Sequence, residues 1–317
     1  MQFLTNTNID FLGGRKVAAT LSIVLILAGI VSLVIKGGPN LSIDFRGGQI
    51  VEVQAVPAIP LDEARAALER AEIGVQQVQD FGSPEEILVY LDGEADLGIE
   101  AGTLTVTEIL ADAFPDRSVE LRREEKVGPK IGEELRRAAT LSIVIALSLI
   151  ILYVGLRFSA VQFGLAAVVA VFHDVLITLG IFSLINHEIS LVILAAFLTI
   201  IGYSLNDTIV VFDRIRENMG MRRKESYASV LNKSINETLS RTVITSLTTL
   251  FVAVVLFIFG GPVIHDFALA LTMGVLIGTY SSIFVAAPLL LVWYDWRTAN
   301  RKSAKTGARP APAKVGN

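Results

Sequence analysis

Six stretches of this chain are apolar for long enough to cross a bilayer, and that leaves little freedom in how it folds. Hydrocarbon offers no water to satisfy backbone N–H and C=O groups, so a crossing segment has to meet them internally, as a helix does. About 20 helical residues span a hydrocarbon core about 30 Å thick. The runs Val17–Ile35, Ala138–Leu156, Val161–Ile185, Ile189–Phe212, Thr242–Phe259 and Phe267–Trp293 meet that length. They are uninterrupted rather than spaced at period 3.6 or 2. The composition agrees: 52% hydrophobic, 18% charged and a mean hydropathy of +0.59, beyond what soluble domains show. Arg15 and Lys16 precede the first run as they would a signal peptide. Its apolar stretch is too long for an h-region and no small-x-small site follows Ile35, so it reads as an anchor.

Loop charges set the expected orientation. Arg15 and Lys16 precede the first span, Arg157 separates the second from the third, and a basic tail starts at Arg297. Arg214, Arg216, Arg222, Arg223, Lys224 and Lys233 fill the fourth-to-fifth connection. The turns Asn186–Glu188 and Gly260–Asp266 hold no Lys or Arg. Residues 1–16 and 294–317 are therefore expected in the cytoplasm, with 17–35 and 138–293 in the membrane and 36–137 outside.

That external segment carries most of the acids. Gln49–Gln54 alternates as a strand does, Leu61–Ile73 has helical spacing, and Val75–Phe81 and Ile87–Leu91 flank Gly82-Ser-Pro84. Thr103–Phe114 predicts a helix stopped by Pro115, and Ser118–Lys126 a last strand. The order β-α-β-β-α-β predicts a ferredoxin-like α/β domain with helices on one face. It shows no nucleophile–base pair, ligand cluster or phosphate loop, and the acids of its first helix read as a solvated face.

Ionisable residues inside the apolar runs are the candidate working groups. A charge near the bilayer centre costs at least ~2.5–3.5 kcal/mol, so such residues mark ion or proton paths or pairs inside a bundle. Asp207 lies five positions before the end of the fourth run, roughly 7 Å inside it at 1.5 Å per residue. Arg241 stands at the mouth of the fifth run, on a helix of opposite direction, at a similar depth. Desolvation and a nearby guanidinium act oppositely on such a carboxylate, so a small shift of the arginine would switch its proton affinity. Structural readings are a snorkelling Arg241 and a packing hydrogen bond at Asp207. His173 and Asp174 sit mid-way along the third run as a relay or support. Adjacent helical residues point about 100° apart, so sharing one cavity would need a wide one. Asn206 is a candidate supporting partner of Asp207, while Asp213, Arg214, Arg216 and Glu217 read as interfacial caps. Gly274-Val-Leu-Ile-Gly278 and the small residues Gly202, Ser204, Thr245, Ser246, Thr248, Thr249, Ser281 and Ser282 predict close helix packing.

The chain has no cysteine and three dispersed histidines, which leaves no thiolate or His-rich metal site, and no Walker loop. Neither an enzyme nor an ATPase is expected, and no cofactor, metal or nucleic-acid partner.

Several stretches resemble the SecF-type members of the SecD/SecF family of protein-export membrane proteins, within the RND superfamily. They are Ile43-Asp-Phe-Arg-Gly-Gly48, Val127–Leu135, Val171-Phe-His-Asp174, Gly202–Glu217, Leu239–Thr249 and Gly278–Phe284. The resemblance implies an RND half-transporter of six spans in a bacterial inner membrane, paired with SecD as the pseudo-symmetric other half. It implies that the pair uses the proton motive force to help draw preproteins through a SecYEG-type Sec channel. It also implies proton transfer at Asp207 and Arg241. Two other readings stand beside it: an RND-type exporter of small molecules or lipids, and a non-conducting translocon scaffold. Exporters of that type usually carry two halves in one chain, and this chain has one.

Overall fold

The computed structural model of the chain describes residues 7–91, 101–158, 160–222 and 224–306; Arg223 and the end of the basic tail lie outside the described residues. Helix α1 (Arg15–Ile35) leads through a short α2 (Ile43–Arg46) into an α/β domain: β1 (Gly48–Val56), α3 (Leu61–Arg70), β2 (Val75–Phe81), β3 (Ser83–Leu91), α4 (Ala101–Ala113) and β4 (Ser118–Val127). Then follow α5 (Pro129–Phe158), α6 (Val161–Leu184), α7 (Leu191–Met221), α8 (Tyr227–Phe259) and α9 (Gly261–Ser281). A π turn at Ser282–Ala286 joins α9 to α10 (Ala287–Thr306). Among the described residues six helical spans are long and apolar enough to cross a membrane, the last made of α9, the π turn and α10.

The sheet has the order β2-β3-β1-β4 with every pair antiparallel, the ferredoxin-like arrangement. Alternation along β1 turns Val51, Val53 and Ala55 toward Leu68 of α3 and Leu110 of α4, all fully buried. The opposite face presents Leu88 and Tyr90, which pack on Ile43 of α2 rather than facing water.

Two short motifs fasten this domain to the bundle. Gly47 has φ +79°, and a Cβ there would lie 2.9 Å from the Cα of Pro129; a Cβ on Gly132 would lie 2.8 Å from the Gly47 nitrogen. The glycines thus let α2 press against the start of α5. The Asp44 carboxylate accepts a hydrogen bond from the N–H of Leu191 at 2.9 Å, satisfying one open donor at the start of α7. The N–H of Ser42 donates to the Ile189 carbonyl at 3.0 Å beside it.

In the bundle, half or more of the apolar windows of α6, α7 and the last span are buried, against 6% for α5, which therefore lies at the rim. Small residues set the contacts, since lipid gives no hydrophobic drive to join helices. A Cβ on Gly29 of α1 would fall 2.6 Å from the Gly180 Cα of α6, and the Ser32 and Ser183 hydroxyls meet at 2.8 Å below them. A Cβ on Gly274 of α9 would fall 2.2 Å from Ile200 of α7, and one on Gly278 3.0 Å from the Ser204 Cβ.

Helix ends depart from the sequence reading. α8 begins at Tyr227, not Thr242, because Ser226 caps it by accepting from the Ser229 N–H at 3.2 Å and because Val230, Leu231, Ile235 and Leu239 are buried along one side. α7 runs on to Met221, so the end of its apolar run does not end the helix. Arg214, Arg216 and Lys233 are accordingly helical rather than in a loop. The turn expected at Gly260–Asp266 is mostly helix: Gly261, with φ +69°, makes the bend, and Pro262 falls in the first turn, where its missing N–H costs nothing.

Candidate functional site

Two buried carboxylates form the polar heart of the bundle. Asp174 of α6 is 1% exposed. Its Oδ2 accepts from Ser204 Oγ of α7 at 2.5 Å and from Ser281 Oγ of α9 at 2.8 Å. Its Oδ1 lies 2.8 Å from His173 Nδ1. The His173 Nε2 meets Ser22 Oγ of α1 at 2.9 Å, and Ser22 meets the Tyr280 hydroxyl at 3.0 Å. Tyr280 donates to the Ala18 carbonyl at 2.7 Å. His173 and Asp174 meet without sharing a wide cavity. The imidazole reaches back to its neighbour's carboxylate and its far nitrogen carries the chain to α1.

Asp207 of α7 is 2% exposed and held more loosely. Its oxygens accept from Thr245 Oγ1 at 3.4 Å and Ser246 Oγ at 3.3 Å, both on α8. Among the described residues no ion pair joins it to Arg241. Arg241 is exposed on α8, four residues before Thr245 and within electrostatic reach of the carboxylate. Asn206 is also exposed and is not brought to Asp207, because one residue along a helix turns the side chain about 100° away.

Helix α9 connects the two acids. Thr279 Oγ1 donates to Ser246 Oγ at 2.7 Å, and so reaches Asp207; Ser281, two residues on, donates to Asp174. Gly278 lets Ser204 approach, and the π turn begins immediately after Ser281. Such turns recur at working sites because they re-aim side chains within a helix.

Most of the interfacial charges pair, while Arg216 donates to the Arg157 carbonyl at 3.3 Å and so caps the end of α5. Arg157 meets Asp213 at 2.8 Å, and Arg214 and Arg222 both bond Glu237 of α8, at 2.7 and 3.2 Å. Sequence reasoning missed Ser22, Thr279 and Tyr280 as site residues. One signal was present: Ala18, Ser22, Gly29 and Ser32 form a single buried stripe of small residues on α1.

Family models match this chain over most of its length: Protein export membrane protein SecD/SecF, C-terminal, over residues 105–296, and the SecD/SecF GG motif over residues 31–59. The chain belongs to the SecD/SecF family. Within it, the chain is 44% identical over 296 residues to the protein translocase subunit SecF of Thermodesulfovibrio yellowstonii, covering 92% of this chain and 97% of that one. It is 46% identical to the SecF of Magnetococcus marinus over 92% and 93% of the two chains, and 46% to that of Vibrio alginolyticus over 89% of each. The fold is similar to that of SecDF, a translocon-associated membrane protein of Thermus thermophilus, with a TM-score of 0.82 at 40% identity. A super-membrane-facing form of SecDF gives 0.70. The SecF-type chain covers 93% and 96% of itself in these matches but 40% and 41% of the SecDF chains. It is thus a multi-pass membrane protein of the Sec translocase, RND-like in its helices, with a small α/β domain outside the membrane.

Proposed function

We propose that this SecF-type chain works with a SecD partner to couple the proton motive force to preprotein movement through a SecYEG-type Sec channel. The observation that carries the reading is Asp207. It is a buried carboxylate within a membrane helix, held by two long hydroxyl contacts, with an arginine nearby that forms no ion pair among the described residues. Charged, it bears a desolvation cost inside the apolar run, and either a proton or an approaching guanidinium relieves that cost. Those two ways of neutralising it define two states of one site. One proton crossing the membrane supplies ~2.3 kcal/mol per 100 mV, enough to shift a two-state equilibrium more than tenfold.

The exposed Asn206 and Arg241 support the SecD pairing, because a face of α7 and α8 bearing both is poorly suited to lipid. His173 and Asp174 act as a relay or support behind Asp207, joined to it through α9. The loop charges support cytoplasmic termini in a bacterial inner membrane, with the α/β domain on the far side, where preproteins emerge. The driving force is the gradient, so the chain acts as a coupling subunit rather than an enzyme and calls for no cofactor. The test is preprotein translocation into inverted vesicles carrying Asp207→Asn with its partner. Asn keeps the shape and cannot ionise, so gradient-dependent stimulation is expected to vanish while the complex still assembles. Full stimulation with Asn would overturn the proposal.

A further inference from the structure

We propose that the chain carries a site for an anionic diacyl phospholipid on the face built by α1, α6 and α10, in the leaflet at the N-terminal end of α1. Two apolar grooves of about 450 and 400 Å³ adjoin there and share one ridge, formed by Val169 of α6 with Leu289 and Val292 of α10. Two acyl chains astride a ridge have the shape of a diacyl lipid.

Charge marks the headgroup end. Arg15 and Lys16 line the first groove, and among the described residues neither is paired with a carboxylate. Arg15 spends one N–H on the Leu12 carbonyl at 3.1 Å, which leaves the rest of its fork for a phosphate. The second groove is bounded by Trp293 and Trp296, residues of the type that settles at headgroup level. After six crossings, the end of the last span lies on the same side as the start of the first, so the cations and the indoles mark one interface.

A protein occupant fits less well. No residue of α7 or α8 lines either groove, whereas the outward-facing Asn206 and Arg241 belong to those helices. Ser22 and His173, each 6% exposed and bonded to one another, line the first groove. An acyl chain lying there covers the lipid-side edge of the polar chain that ends at Asp174.

The test is native mass spectrometry of the full chain titrated with dioleoylphosphatidylglycerol or dioleoylphosphatidylcholine. The anionic lipid is expected to bind at least tenfold more tightly. Arg15→Gln with Lys16→Gln removes most of that preference, at about fivefold per cation. Ala19→Trp, or Val169→Trp where the first does not fold, fills the groove without altering charge and weakens retention of both lipids. Equal binding of the two lipids overturns the proposal. So does wild-type binding in the tryptophan variants, which would mean adsorption to the cations alone. Loss of the lipid when the partner chain is added would give the face to a protein and overturn it too.

Discussion

A carboxylate buried among helices needs a proton, a cation or several dipoles, and Asp174 and Asp207 are supplied differently. Asp174 has an imidazole and two hydroxyls at 2.5–2.8 Å, a set that holds it in one geometry. Asp207 has two hydroxyls at 3.3–3.4 Å, near the limit of a useful hydrogen bond. Of the two, Asp207 can change partners with little loss. In the proposed mechanism Arg241 is the incoming partner, and its planar fork can grip both carboxylate oxygens where an ammonium is a single point of charge. Arg241→Lys is therefore expected to cut gradient-driven translocation at least tenfold with assembly intact. Retained activity in the same vesicle assay would make Arg241 an interfacial charge rather than a shaped partner.

At the scale of the element, the α7–α9 contact positions hydroxyls that reach both acids, and it depends on absent side chains. A methyl group at Gly274 would overlap Ile200, so Gly274→Ala is expected to destabilise the bundle by about 1–3 kcal/mol. Ile200→Ala should restore much of that loss in the double variant, read by thermal unfolding in detergent; additive losses would place the strain elsewhere. The membrane runs were legible because uninterrupted apolarity over about 20 residues has one structural solution. Their extensions were not found by that criterion. Tyr227–Arg241 is polar on average and shows its helix only through spacing, at Val230, Leu231, Ile235 and Leu239. The outward turn of Asn206 follows from the 100° step that separates it from a buried Asp207. The same step does not separate His173 from Asp174, because an imidazole is long enough to bend back to its neighbour. Which hydroxyls meet which acid depends on how helices distant in sequence pack, as with Ser22 and His173, and no local pattern encodes it.

For the molecule as a whole, the α/β domain sits on the bundle across a cleft of about 370 Å³ that gathers Asp44, Glu52, Glu125, Glu188 and Asp266, with Arg123 as the cation among its lining residues. Arg46 acts on Glu188 from beside it. Burial pushes the Glu52 and Glu188 carboxyls above their usual range, with Glu86 adding to the first. His187, in the same loop as Glu188, faces Asp266 with Nε2 2.9 Å from Oδ1, out of line for a good hydrogen bond. Pairing with Asp266 raises its imidazole above the ordinary value against the opposing pull of burial. The Glu52 and Glu188 shifts have one sign, so the docked domain holds carboxyl protons that a released one gives up; the pairing with Asp266 that raises His187 lies within the bundle and does not depend on docking. Docking is then strongest in acid, and it weakens as pH rises through the raised carboxyl values. The absence of native cysteine makes this measurable with paired labels at Glu63→Cys and Leu184→Cys in the full chain in nanodiscs. The short-distance population is expected to shrink as pH rises above 4.5, the ordinary glutamate value, and Glu188→Gln should remove part of that change. A distance distribution that does not move with pH would mean that the domain's position is set by the Gly47–Gly132 and Asp44–Leu191 contacts alone.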